Sequence, residues 1–288
     1  MPGQSSPKQS NGGSPQPETT IRTPDVSGST RLLQLTDLHL FADPDAQLLG
    51  LTTRRSFEAV LDLALSRSMP DDTLVLTGDL VHDGSAEGYS ALRRALDETG
   101  LLYYSIPGNH DSNSSMQECL GSASLGPVSV RRLGVWNLLF LDSTQPGHDS
   151  GYLGPARLDS LESELTADLA PTLIFLHQHP VPIQSVWMDT MAVTDGDALI
   201  RACDRHRHVK ALVCGHIHQD FARQRGGYRI LGAPSTCVQF MPGSTDFAID
   251  QSTPGYREFQ LYADGRFETR VIRLDDYEEH ASPSSIGY

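Results

Sequence analysis

The chain has 288 residues, of which 38% are hydrophobic, and a net charge of −14, so it can fold as one large domain or two small ones. The acidic balance argues against a nucleic-acid partner, which needs a positive footprint. No stretch approaches the roughly 18 apolar residues of a membrane span, and no basic start precedes an apolar run as in a signal peptide, so a cytoplasmic protein is expected.

Residues 1–29 are rich in Ser, Pro, Gly, Gln and Asn and are expected to form a disordered tail, because they have too little apolar surface to offset the entropy of ordering. Lys8 and Arg22 there cancel Glu18 and Asp25, so the negative charge belongs to the remainder. A short apolar run at 31–36 reads as the first strand. Phe57, Val60, Leu61, Ala64 and Leu65 follow at helical spacing, after the capping candidates Thr52 and Thr53. Next come a strand at 73–76, a helix from about Ser85 with Tyr89, Leu92 and Leu96 inward, and a strand at 102–106 ended by Pro107-Gly108. Strands at 135–141 and 172–176 flank a helix carrying Leu158, Leu161 and Leu165. A helix near 198–204 precedes a strand at 209–214, and the rest reads as strands at 228–231, 256–262 and 267–272.

This order predicts an α/β (α+β) fold with two packed sheets and helices outside, formed by one domain over 30–274. Residues 275–288, with Asp275, Asp276, Glu278 and Glu279, are expected to form an acidic, solvated tail. Cys119, Cys203, Cys214 and Cys237 are scattered without a C-x-x-C pair, so reduced thiols are expected.

Asp, Asn and His residues fall at strand ends. Asp37-Leu38-His39 follows the first strand, and Gly78-Asp79 the second. Gly108-Asn109-His110-Asp111 follows the third, His177-Gln178-His179-Pro180 the strand at 172–176, and Gly215-His216-Ile217-His218 the strand at 209–214. Five strand ends carrying metal-type ligands are expected to converge on one edge of a sheet, where α/β sites lie. Each block alone is weak evidence, since an Asp-x-His or a GNHD can be an ordinary turn.

The ordered set DxH, GD, GNH, H and GHxH resembles the calcineurin-like metallophosphoesterases over nearly the whole chain, from Leu32 to about Leu274. TDLHLF (36–41), GDLVHDGS (78–85), PGNHD (107–111) and the late segment PSTCVQFMPGSTDFAIDQSTPGYR (234–257) are similar to the bacterial class III cyclic nucleotide phosphodiesterases. The resemblance implies a four-layer αββα sandwich with two mixed sheets and hydrolysis of 3′,5′-cyclic AMP to 5′-AMP, with a hydroxide bridging two metal ions as nucleophile. It implies one ion on Asp37, His39, Asp79 and His218, and a second on Asp79, Asn109, His177 and His216. His39, Asp79, Asn109, His110 and His218 would meet the substrate, with His110 acting on the leaving oxygen. Apart from the resemblance, Asp111 comes next in the chain and could orient the His110 imidazole by its carboxylate. Such mixed nitrogen and oxygen sets suit iron, manganese or zinc. The family's usual His-His-Pro is here His177-Gln178-His179-Pro180, with His179 as the fallback ligand. His82 could reach the groups behind the ligands, although a surface or helix-start role is favoured, and Arg54 and Arg55 could face an anionic ligand, although a solvated helix face is favoured. Hydrolysis of another phosphodiester or a phosphomonoester stays open, because a fold and a metal site do not fix a substrate. Retention of every motif residue argues against a non-catalytic interaction protein.

Overall fold

The computed structural model describes residues 28–282. The expected N-terminal tail lies outside these residues except for Gly28 and Ser29, and Ser29 opens the first strand. A five-stranded sheet has the order Phe267–Arg273, Gly255–Tyr262, Ser29–Leu35, Thr73–Thr77, Leu102–Ile106. Its last three strands are parallel to one another, and the first two pair antiparallel. A six-stranded sheet has the order Phe221–Arg225, Tyr228–Gly232, Val209–Cys214, Thr172–Leu176, Trp136–Leu141, Val128–Leu133. Its four central strands are parallel and both edges antiparallel.

Side chains alternate across each strand, so each sheet buries two faces. Leu32, Val75 and Phe259 meet Phe140, Phe175 and Val213 in the core between the sheets. Their neighbours Leu33, Leu35, Leu74 and Leu76 face outward onto Phe57 and Val60 of helix Thr53–Ser66 and Tyr89 and Leu92 of helix Ala86–Glu98. On the other side, Leu139, Ile174 and Leu212 pack against Leu161 and Leu165 of helix Gly154–Ala167 and Leu199 of helix Gly196–Asp204. The result is the expected four-layer sandwich. Strands buried on both faces read as continuous apolar runs, which is why their positions were plain in the sequence.

Elements that the sequence reading passed over include both edges of the six-stranded sheet. Val128–Leu133 carries Arg131 and Arg132, and Phe221–Arg225 is polar at three of its five positions. Edge strands of this kind are blunted by charge, and the same charge hides their pattern. Helix Asn113–Leu120 was also missed, being short and buried at only Met116 and Leu120.

The acidic C-terminal segment departs from expectation. The Thr52 side chain does not cap the helix that follows it. Instead Glu279 accepts a 2.7 Å hydrogen bond from the Thr52 N–H, and the Ser282 N–H donates to the Leu49 carbonyl. That helix has no acidic residue in its first turn, so a carboxylate at its N-terminus complements the helix dipole. Residues 275–282 are therefore partly docked on the domain, with Tyr277 packed on its core. Residues 283–288 lie outside the described residues.

Candidate metal centre

The polar blocks do meet, but across both sheets and not at the edge of one. Asp37, Asp79 and Asn109 follow parallel strands of the five-stranded sheet, whereas His177, His216 and His218 follow two parallel strands of the other. The Gln34 amide spans the layers beneath them, donating to Thr77 Oγ1 at 2.9 Å and to the Cys214 carbonyl at 3.0 Å.

The backbone at these ends is unusual. Asp37, His39, Asp79, His216 and His218 have φ of 54°, 46°, 51°, 66° and 49°. Among the described residues, Leu49 and Gln184 are the other non-glycine residues with positive φ. This left-handed region costs an L-residue about 1–3 kcal/mol where it is held, and it gathers at functional sites. Here it turns the chain at a strand end at the site residue itself, while the next side chains Leu38, Leu40, Leu80 and Ile217 enter the cores. Gly108 serves the same need by close approach, since a Cβ there would overlap the Asp79 carboxylate.

Ligand-type atoms of Asp37, His39 and His218 lie within 4.8 Å of one another, as do those of Asp79, His177 and His216. Asp79 Oδ2 stands between the sets, 3.2 Å from His177 Nε2 and 3.8 Å from His39 Nε2. Asn109 Oδ1 is 3.1 Å from His177 Nε2, and His218 Nε2 is 3.3 Å from Asp37 Oδ1 and 3.4 Å from His39 Nε2. Asp37, His39, Asp79, His177 and His218 are fully buried and His216 nearly so, while Asn109 and His110 are partly open to solvent.

The donor chemistry fits two cations. His177 Nδ1 donates to the Thr77 carbonyl at 2.7 Å, and His218 Nδ1 to the Val238 carbonyl at 2.7 Å. Each Nε2 then presents a lone pair toward carboxylate and carboxamide oxygens, so acceptors converge on acceptors. Asp79 Oδ2 and both ring nitrogens of His216 are buried without a hydrogen-bond partner. Only positive charge resolves such a cluster. Burial holds His39 and His216 well below the usual imidazole range, which keeps them neutral as ligands must be. His177 differs: burial would lower it, yet the Asp79 charge beside it pushes it up to about 9.

Asp111 does not orient His110. Its carboxylate accepts from the N–H groups of Leu80 and Gly108 and from the Tyr89 hydroxyl, at 3.0, 2.8 and 2.6 Å. It also accepts from the Val81 N–H at 3.1 Å. Asp111 thereby ties the Asp79 loop to the Asn109 loop. In Asp111→Asn the amide would turn an N–H toward these donors, leaving buried groups unpaired at about 1–3 kcal/mol each. A fall of several degrees in Tm and weaker metal retention are expected, measured by calorimetry and elemental analysis.

His177, not His179, faces Asp79 and Asn109. His179 stacks on His216 at 5.8 Å between ring centres, with Nε2 3.6 Å from Asp189 Oδ1. The late segment builds the floor beneath Asp37 and His218. The Ser235 hydroxyl donates to the Asp37 carbonyl at 2.7 Å, and Phe240 stacks on His218 at 4.1 Å. His82 is half-buried and turned toward the site: its Nδ1 lies 3.0 Å from His39 Nδ1, and its ring stacks on His110. The available signal was its position three residues past Asp79, where the Leu40–Val81 bridge turns it back to the site. Arg54 bonds weakly to the Phe41 carbonyl at 3.5 Å, and its Nε is buried without a hydrogen-bond partner, so it is not simply solvated. All four cysteines are free, and burial pushes Cys203, Cys214 and Cys237 up to about 12.

The calcineurin-like phosphoesterase family model matches residues 30–220. A 3′,5′-cyclic adenosine monophosphate phosphodiesterase of Pseudomonas aeruginosa is 39% identical over 267 residues, covering 92% of this chain and 98% of that protein. A 3′,5′-cyclic-nucleotide phosphodiesterase of Nostoc is 41% identical over 248 residues, covering 84% and 92%. Among solved structures, a dimetal phosphatase from Danio rerio superposes with a TM-score of 0.60 at 14% identity, covering 85% of this chain and 98% of that one, which shows the fold.

Proposed function

Because this chain belongs to the calcineurin-like phosphoesterase family, a family of hydrolases, we propose that it hydrolyses 3′,5′-cyclic AMP to 5′-AMP at a dinuclear metal centre. The observation that carries this reading is the pair of ligand clusters with Asp79 Oδ2 between them, in a chain whose relatives are cyclic nucleotide phosphodiesterases.

Asp37, His39, Asp79 and His218 would hold one ion, and Asp79, Asn109, His177 and His216 the other, with iron, manganese or zinc suited to these donors. When bound, the ions would supply positive charge at the phosphoryl oxygens and would lower the pKa of the water that serves as nucleophile. The protein's own groups do the rest. His39, Asp79, Asn109 and His218 line the place of the phosphate. His110, anchored by its N–H to Asp79 Oδ1 at 2.9 Å, is placed to give a proton to the departing ribose 3′-oxygen. The proposed location is the cytoplasm, where this messenger acts. Among the described residues, no helix is long and apolar enough to cross a membrane.

Protein stripped of metal by chelation is expected to lose turnover of 3′,5′-cyclic AMP and to regain it when manganese, iron or zinc is added back singly. The product is read by chromatography, beside linear phosphodiesters and phosphomonoesters. Restored activity confined to a linear ester would transfer the assignment to that substrate. No restoration by any metal would end the reading.

A further inference from the structure

We propose that His82 is a positioning residue serving both halves of this site, fixing the His39 ring by a hydrogen bond and the His110 ring by stacking. The inference rests on the functional reading above, in which His39 is a ligand and His110 the acid.

Two ring nitrogens 3.0 Å apart, His39 Nδ1 and His82 Nδ1, must share one proton. His39 Nε2 lies 3.4 Å from His218 Nε2 and 3.8 Å from Asp79 Oδ2, the side on which a ligand lone pair is needed. The shared proton therefore sits on His39 Nδ1, and His82 accepts it. A ligand histidine held through its second nitrogen has a fixed tautomer and ring plane. The partner is usually a carboxylate or carbonyl, as Thr77 and Val238 provide for His177 and His218. For His39 the partner is another imidazole.

The backbone explains how His82 reaches this place. Its N–H donates to the Leu40 carbonyl at 2.7 Å, one residue past His39. Its ring then lies between Phe41, at 4.9 Å, and His110, at 4.4 Å with 21° between planes. His110 thus has an aromatic wall on one face and the edge of the His39 ring at 5.0 Å. Such a wall limits rotation of a side chain that must aim at one oxygen. A simple space-filling residue would explain the stack, but not a nitrogen aimed at His39 Nδ1.

Two variants separate the roles. His82→Phe keeps the wall and removes the acceptor. His82→Asn keeps an oxygen near the place of Nδ1 and removes the wall. For His82→Phe, metal affinity is expected to fall roughly 10- to 100-fold, the range for lost outer partners of ligands. Once saturated with metal, that variant should keep the ratio of cyclic AMP turnover to p-nitrophenyl phosphodiester turnover. For His82→Asn, two ions per chain should be retained, while kcat on cyclic AMP falls about tenfold or more relative to the activated ester. The proposal is overturned if both variants match the unmodified protein, or if both lose Tm, metal and turnover in parallel, as a filler would. Metal content reports on His39 whatever the substrate is. A failure of the unmodified enzyme to turn over cyclic AMP would therefore count against the functional reading and not against this measurement.

Discussion

Replacing Asp79 by alanine is expected to remove both ions and the activity together. Its Oδ2 faces His177 at 3.2 Å and His39 at 3.8 Å, so one truncation takes a ligand from each cluster. Its Oδ1 also accepts the His110 N–H, so the loop that carries Asn109 loses its anchor. Elemental analysis should fall from two ions per chain to less than one, and turnover should drop by about 10³ or more, since several kcal/mol of charge stabilisation goes with the ions. Asp79→Asn adds a control. It keeps the shape and an acceptor for His110 but loses the charge, so the fold should persist while metal retention still fails. An Asp79→Ala protein holding two ions would refute the shared-carboxylate geometry.

His110→Ala should behave in the opposite way, with metal content near normal and activity down about 10² to 10⁴. The ribose 3′-oxygen is a poor leaving group and gains from a proton as the bond to phosphorus breaks. An ester of p-nitrophenol needs none, so its loss should be much smaller. Equal losses on both substrates would assign His110 to charge stabilisation at the phosphoryl group. Collapse of metal content would make it a structural residue.

Much of this site was legible because its residues are local in sequence while the convergence is global. Each block sits directly after a buried strand such as 172–176 or 209–214, whose continuous apolar run marks it. The tertiary relations were not legible. Nothing in the order of blocks says that Asp37 and His216 come from different sheets. The part played by Asp111 was not legible either, because a hydrogen bond from Leu80 N–H to Asp111 depends on how two turns stack, which no spacing encodes. Glu279 was likewise read as solvated, since its partner Thr52 is 227 positions away.

The candidate ligands come from both sheets. Ions held here would join positions distant in the chain: His39 to His218 across 179 positions, and Asn109 to His177 across 68. A chain with four free cysteines would then gain two reversible staples, closing loops that disulfides close elsewhere. Because the unfolded chain has no preformed site, each staple exists only in the native state, and its strength is set by free metal. A chelator would act on this protein as a reductant acts on a disulfide-bonded one. Starvation for metal would then do more than idle the enzyme, exposing it to unfolding and proteolysis in the cell.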